Sequence, residues 1–484
     1  MTEHSFGPLP RESVLTLLNE RRPFKLVLGF GEEVSSGEFL RAIDVITFAL
    51  VDSDINGGQC VSIETSNSYR SLVAMLAIWK LGAIAVPIDP KQPEHRQNYI
   101  RQLCGIQIRI VDDIRSSTSD CSVIRVANRN PLPLFGDVAH ILFTSGSTGR
   151  PKGVMLSSGS IYSRLMGFLS TVEVSPQDSI GALTYPTFDI SLTEMLLPLF
   201  TGCTLAIPPP SLRGKPVDTA RWISESKISI VQGTPTLFQM LTQANWAPGK
   251  HVSVWSAGES LNRSLASSIG ESARELWNLY GPTEMTIYST AWRYDGALGN
   301  AVAPIGKPFP GTVGYLDAIE GQDDQTGELI LSGIGVSEGY VEEPGLTSAR
   351  FITRDGQRAY RTGDICSRDA DGNFSFLGRI DNQVKVRGFR IETGDVEANL
   401  SECPGVVQSA VVAVPLRFGD GLRLVAVIVG DFDPNAIRDH LRERIPEFMI
   451  PSAFRRLDHL PLTGSGKIDR TAIAAMLTND DRAH

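Results

Sequence analysis

Between residues 142 and 153 the chain reads LFTSGSTGRPKG, with Thr144, Ser145, Ser147 and Thr148 set around Gly146 and followed by Gly149, Lys152 and Gly153. Nothing in this run packs into a core. Glycine costs backbone entropy where the chain is ordered, so a local demand has to justify it. Hydroxyls, bare backbone N–H groups and a lysine make a cradle for anions. A flexible surface turn is the plain alternative. The apolar AHILF before the run and VML after it favour strand, loop, strand, and a loop that holds phosphates. A Walker loop needs Gly, four residues, then Gly-Lys-Ser/Thr opening a helix. Here Pro151 stands where the second Walker glycine would be, and Gly153 follows Lys152 in place of a metal-binding hydroxyl. The pattern does not fit a P-loop kinase or GTPase. If nucleotide binds here, the groups for its metal, base and ribose lie elsewhere in the chain.

Elements able to position such a loop are visible in the hydrophobic pattern. Leu72, Val73, Leu76 and Trp79 recur at steps of three and four, which is helical spacing, and Gly82 is a stop for that helix. AIAVPI then reads as a buried strand. ISIVQG and VSVWSAG read as strands, followed by helices over PTLFQMLTQ and LNRSLASSIG. Strands alternating with helices imply βαβ units and parallel sheets. From about residue 310 the texture changes to short strands with Gly-rich turns, such as GELILSG and NFSFLGR. After Arg379 it changes again. VVQSAVVAVP and LRLVAVIVG read as strands, and PNAIRDHLRERI and RTAIAAML as helices. The expected fold class is α/β: a large N-terminal domain of βαβ-type sheets with a β-rich subdomain, then a small α+β domain. The boundary is placed in GRIDNQ, residues 378 to 383, giving domains of 1–380 and 381–484.

Composition bounds the function. The 484 residues suit two or three domains, and 42% hydrophobic content is enough for a large core. A net charge of −9 argues against sequence-independent nucleic-acid binding, which relies on basic patches. The six cysteines include no C-x-x-C and the seven histidines no H-E-x-x-H, so zinc and disulfide frameworks are disfavoured. The N-terminus carries Glu3, Glu12 and Glu20 and no apolar signal core. The most apolar stretch contains Lys80 and Pro87 and does not suit a bilayer. A reduced, soluble, cytoplasmic protein without membrane or nucleic-acid partners is expected.

Four more motifs lie outside any core pattern: NLYGPTE (278–284), YRTGD (360–364), GRIDNQVKVRGFRIE (378–392) and LPLTGSGKIDR (460–470). Taken one at a time, each also reads as a turn or a surface charge. Together with the opening loop, in this order and spacing, the set closely resembles the adenylate-forming superfamily, and within it the amino-acid adenylation domains of nonribosomal peptide synthesis. The resemblance runs from about residue 35 to 470. It implies ATP and Mg²⁺ as cofactors. Thr144, Ser145, Gly146, Ser147, Thr148, Gly149 and Lys152 would hold the departing β- and γ-phosphates. Tyr280 would stack on adenine, with Gly258, Glu259, Ser260, Asn278 and Gly281 around the base. Thr283 would reach the α-phosphate, and Glu284 would hold Mg²⁺, a metal that keeps most of its waters. Asp364 would accept from both ribose hydroxyls, and Arg379 would contact ribose or phosphate. Lys467 would be the catalytic cation between substrate carboxylate and α-phosphate. Asp381 would be a hinge that lets the small domain change pose between adenylation and thioester formation, after which Lys385 and Gly388 face the site. The resemblance is looser near residues 35 to 50, and RIETGDVE has Asp395 where the family usually has Glu.

The substrate can be read from the same resemblance. TYPTFDISLTEM (184–195) places Asp189 where amino-acid-activating members keep the partner of the substrate ammonium. A local alternative is a capping box of Ser191 and Glu194, with Asp189 preceding the helix. The pocket would be lined by Asp189, Ile190, Thr193, Gln232, Trp255, Ala257, Leu279, Ile287 and Tyr288. The aromatics Trp255 and Tyr288 would fill much of it. The set offers no cation for an acidic side chain and no second carboxylate for a basic one. It resembles the signature of glycine-activating members, so glycine or alanine is favoured, with proline or a β-amino acid open. An acyl- or aryl-CoA ligase of the same fold is the rival reading. The chain runs only about fifteen residues past TGSGKIDR, so a freestanding enzyme that loads a separate carrier protein is expected. A nucleotide-binding protein that has lost catalysis is disfavoured, because Lys467 and Glu284 are both present.

Overall fold

Leu72, Leu76 and Trp79 do lie on a helix, Ser68–Lys80, buried on nearly every face. Asn67 caps its start by accepting from the backbone N–H groups of Tyr69 and Arg70. Its end is a Schellman motif. Gly82 turns left-handed at φ 66°, its N–H donates to the Trp79 carbonyl, and the Ala83 N–H donates to that of Ile78. A helix apolar all round has to sit inside a layered core, which is what the following buried strand Ile84–Pro87 requires as well.

The computed structural model describes residues 24–112, 121–126, 136–146, 150–296, 298, 302–323, 325–416, 421–463 and 468–483. The chain divides into two compact units. One holds residues 1–90, 101–142 and 153–380; the other holds 91–100, 143–152 and 381–484.

Among the described residues, the first unit is built on three sheets. In the largest, six strands run parallel in the order Glu275–Tyr280, Ser253–Ala257, Ile230–Gly233, Ser179–Gly181, Thr204–Ile207 and Lys25–Leu28. Antiparallel strands close both edges. A second sheet has a parallel core of Val138–Thr144, Ile84–Pro87, Cys60–Glu64 and Ile108–Asp112. These parallel strands are mostly continuous apolar runs because helices cover their faces. The helices Pro235–Gln243 and Arg263–Ser272 follow their strands as the alternation predicts. The third sheet is antiparallel and includes Thr326–Gly333, Gln357–Arg368 and Phe374–Arg379.

Around residues 381–484 the second unit has a hairpin, a three-stranded sheet and helices. The strands Val406–Pro415 and Leu422–Gly430 pair antiparallel, and Ala453–Arg456 adds in parallel. The hairpin Gln383–Val386 with Phe389–Glu392 turns through Arg387 at φ 53° and Gly388 at φ 81°. A two-residue hairpin turn needs positive φ at both central positions, and glycine supplies the second without strain.

Candidate functional site

The end of the strand Glu275–Tyr280 delivers the residues expected around the nucleotide. Tyr280 is buried, and its hydroxyl donates to Asp364. Arg379, paired with Asp364 across neighbouring strands, donates to the other oxygen of the same carboxylate. Burial, with the Asp364 charge beside it, pushes the Tyr280 phenol well above its ordinary range. The three residues therefore form one buried cluster, with the carboxylate at its centre. Asn278, on the same strand, donates from its amide to the Pro304 carbonyl. Gly258 follows its strand at φ 87°, and Glu259 accepts from the Thr236 N–H.

Gly281 is required by space. A Cβ there would lie 2.2 Å from the Ile287 carbonyl oxygen and 2.8 Å from the Tyr288 Cα. The turn of NLYGPTE is thus pressed against the backbone that carries two expected pocket residues. Between them the chain makes a short helix, Thr283–Met285, then passes through Thr286 at φ 57° and Ile287 at φ 68°. A β-branched residue in the left-handed region is a strained outlier of the kind found at functional sites.

Glu284 is wholly buried and accepts from the Tyr340 hydroxyl at 2.8 Å. Tyr340 in turn lies 3.3 Å from the Tyr360 hydroxyl. Among the described residues no three His, Cys, Asp or Glu side chains gather as a metal site. A single carboxylate in a polar pocket nevertheless suits Mg²⁺, whose other ligands are waters and phosphate oxygens. Tyr340 was not visible from the sequence, since nothing near it in the chain marks it as a partner for residue 284.

The expected amino-acid pocket is drawn together by one hydrogen-bond chain. Gln232 is the penultimate residue of the strand Ile230–Gly233. Its amide nitrogen donates to the Ile190 carbonyl and to Glu194, both at 2.9 Å, and its oxygen accepts from the Tyr288 hydroxyl at 2.7 Å. Glu194 also accepts from the Thr184 N–H at 3.0 Å and the Thr184 hydroxyl at 2.6 Å. Asp189 is buried and accepts from the Ile190 N–H at 2.8 Å. The Tyr288 phenol is raised well above its ordinary range by burial, then by the charges of Glu194 and Asp189. Trp255 is buried, donates to Ser253 Oγ at 3.0 Å, and packs edge-on to Phe168, whose ring also meets Tyr288. Ala257, Leu279 and Ile287 are buried, as is Thr193.

The capping-box alternative fails. The helix Ser191–Thr201 has Ile190 at its N-cap with no side-chain cap. Ser191 donates to the Phe188 carbonyl instead, and Glu194 turns to Thr184 and Gln232.

Burial raises the Glu194 carboxyl to about 8, against the pull of its Thr184 and Gln232 donors. The sign follows from linkage. Between the ordinary value of 4.5 and about 8, the folded chain holds a proton that the unfolded chain has released, so stability falls as pH rises through this window. Glu194→Gln carries no titration. Its melting temperature should therefore gain on the wild type from pH 5 to about pH 8 and level off above that. A difference that stays constant across that range would mean the donors keep Glu194 ionised throughout.

In the second unit, Gly146 of the phosphate-loop candidate also has no room for a side chain. A Cβ would lie 2.0 Å from the Arg150 carbonyl oxygen. Ser145 donates to the Arg390 carbonyl at 2.7 Å and accepts from the Glu392 N–H at 3.2 Å. Lys152 stands 3.9 Å from Glu392, and Arg96 stands 3.7 Å from Asp395, all four side chains largely buried. Burial lifts the Asp395 carboxyl to about 6 despite Arg96 beside it. Lys385 sits on the first hairpin strand. Asp381 accepts from the Gln383 N–H at 3.3 Å. Ser147, Thr148, Gly149 and the catalytic candidate Lys467 lie outside the described residues.

Comparison with known proteins identifies the family. A family model described as AMP-binding enzyme matches residues 18–341, and one described as AMP-binding enzyme C-terminal domain matches residues 395–467. The dimodular nonribosomal peptide synthase of Bacillus subtilis (strain 168) is 34% identical over 453 residues, covering 88% of this chain and 19% of that protein. A solved four-domain nonribosomal peptide synthetase bound to AMP and glycine superposes with a TM-score of 0.67 at 30% identity, over 95% of this chain and 36% of that one. An artificially fused adenylation–PCP di-domain, NpsA-ThdA from Klebsiella oxytoca, superposes at 0.80 with 26% identity, over 94% and 95% of the two chains. The chain spans a minor part of the multidomain synthetases it matches. Among the described residues no helix is long and apolar enough to cross a membrane.

Proposed function

The chain belongs to the AMP-binding enzymes, the adenylate-forming superfamily, as a member of the nonribosomal-peptide adenylation type, and from that premise we propose that it activates a small neutral amino acid, glycine or alanine, as the aminoacyl-adenylate and passes it to the pantetheine thiol of a carrier protein. The observation that carries the amino-acid part is Asp189. It is a buried carboxylate just before the helix Ser191–Thr201, beside Ile190, Gln232 and Tyr288. A buried carboxylate calls for a cation, and the α-ammonium of an amino acid supplies one. The bulk of Trp255 and Tyr288 favours a small side chain. The solved relative bound to AMP and glycine supports the same choice.

In the first half-reaction the amino-acid carboxylate oxygen attacks the α-phosphorus of ATP, and the bond to the β-phosphate oxygen breaks to release pyrophosphate. Lys467 cancels the repulsion between two anions as they meet. Thr283 holds the α-phosphate. Thr144, Ser145, Gly146, Ser147, Thr148, Gly149 and Lys152 hold the β- and γ-phosphates. Tyr280, Gly258, Glu259, Ser260, Asn278 and Gly281 surround the base, and Asp364 with Arg379 fixes the ribose. Glu284 would hold Mg²⁺, which when bound draws charge from the phosphate oxygens. In the second half-reaction a thiol attacks the activated carbonyl and AMP leaves. Asp381 is the pivot between the two, and Lys385 and Gly388 belong to the second. The domain division at 380/381 is part of the same reading.

Carrier loading tests this directly. With ATP, Mg²⁺ and glycine or alanine, the intact mass of a pantetheinylated carrier protein should rise by one aminoacyl group. Loading that needs an aryl or fatty acid instead would favour an acyl- or aryl-CoA ligase of the same fold.

A further inference from the structure

The reading of the pocket above leaves Glu194 without a role in the reaction, although it is among the most enclosed carboxylates of the first unit. It is wholly buried on the helix Ser191–Thr201, and it is not one of the residues expected to touch substrate. Resting on that reading, we propose that Glu194 is a positioning residue for amino-acid selection: through Gln232 it fixes the Tyr288 hydroxyl and keeps the pocket closed to side chains larger than a methyl group.

The hydrogen-bond directions carry the argument. Both hydrogens of the Gln232 amide are engaged, one by the Ile190 carbonyl and one by Glu194, each at 2.9 Å. An amide so held can present only its oxygen to Tyr288, so the Tyr288 hydroxyl must donate, and does at 2.7 Å. Glu194 is itself anchored on Thr184 by two donors. One residue outside the pocket thus orders Ile190, Gln232 and Tyr288 as one wall. The Tyr288 ring is backed by Phe168, at 5.9 Å between centroids, and its hydroxyl end is held by Gln232. Without an acceptor at position 194, the Gln232 amide keeps its bond to the Ile190 carbonyl and a long one to the Thr184 hydroxyl, and is held less firmly against turning. Tyr288 then loses its fixed acceptor and the wall can give way to a longer side chain.

The test measures kcat/KM for glycine, alanine, valine and leucine in pyrophosphate exchange, with KM for ATP as the internal control. Glu194→Ala should lower the preference for the small amino acids over leucine by about tenfold or more, the scale on which a pocket resolves added methylenes. The change should appear in KM for the amino acid and leave KM for ATP in place. Glu194→Gln keeps a carbonyl oxygen for Gln232 and should restore most of the preference, whereas Glu194→Leu, which fills similar space without an acceptor, should not. Tyr288→Phe cuts the chain at its other end with the loss of one hydroxyl, and serves if Glu194→Ala does not fold. Tyr288→Phe combined with either Glu194 variant should be no worse than the more severe single change, because both act through one chain. Unchanged selectivity in Tyr288→Phe, or effects of the two sites that simply multiply, would overturn the proposal. A wild-type protein that activates none of the amino acids would instead strike down the reading beneath it, and the proposal with it.

Discussion

Lys467→Ala should lose about 10²–10³-fold in pyrophosphate exchange, the usual consequence of removing one fixed electrostatic contact from a transition state. The carboxylate and the α-phosphate are both anions, and their approach is the step that needs a cation. Thioester formation does not share this need. The carbonyl is already activated as a mixed anhydride, and the attacker is a thiol. Supplied with chemically made aminoacyl-adenylate, Lys467→Ala should therefore load a carrier protein at close to the wild-type rate. Lys385, on the hairpin strand Gln383–Val386, is the reverse control. Its replacement should spare exchange more than loading. Single-turnover loading from ready-made adenylate separates the cases. Equal loss of both half-reactions in Lys467→Ala would rule out the division of labour and the pivot assigned to Asp381.

Asp189→Ala should abolish amino-acid-dependent exchange while leaving ATP binding nearly unchanged. The carboxylate is buried immediately before the helix Ser191–Thr201 and accepts from the Ile190 N–H. Removing one member of a buried charge pair typically costs about 3–5 kcal/mol, because the remaining charge is stranded. Here the stranded charge would be the substrate ammonium, so the loss falls on substrate binding and on every later step. Nucleotide affinity, measured by calorimetry, is the control, since Tyr280, Asp364 and Arg379 cluster independently of residue 189. Wild-type exchange in Asp189→Ala would reduce the residue to a helix-flanking turn.

The elements of this fold were legible where one pattern governed a whole segment. Val406–Pro415 and Leu422–Gly430 match the expected strands end to end, because each holds an apolar run, 410–414 and 424–429, in a segment bounded by turn residues. The Gly82 stop was legible because a Schellman motif needs a left-handed residue at that point. The helix expected over PNAIRDHLRERI ends earlier, at Arg442, with Ile445 donating back to Leu441 in a final turn. The motifs around Tyr280, Asp364 and Gly146 were legible as glycine and charge where no core demands them. Two of those glycines, Gly146 and Gly281, turn out to be fixed by backbone approaching within about 2 Å of where a Cβ would stand. What stayed hidden were partnerships across the chain. Glu194 reads as half of a capping box until Gln232, on a different strand, is seen to donate to it. Tyr340 reads as an ordinary core aromatic until its hydroxyl is found on Glu284. The left-handed Ile287 has no sequence signal at all, since the type is the worst suited to that conformation.

Pyrophosphate exchange across a panel of acids bears most directly on the whole account. The panel should include the proteinogenic amino acids, β-alanine, and representative fatty and aryl acids, each with ATP and Mg²⁺. Exchange should be strongest with glycine or alanine, weaker with larger neutral amino acids, and absent with acids that lack an ammonium group. Exchange driven by fatty or aryl acids and indifferent to amino acids would contradict it, and would move Asp189 from the substrate to the scaffold.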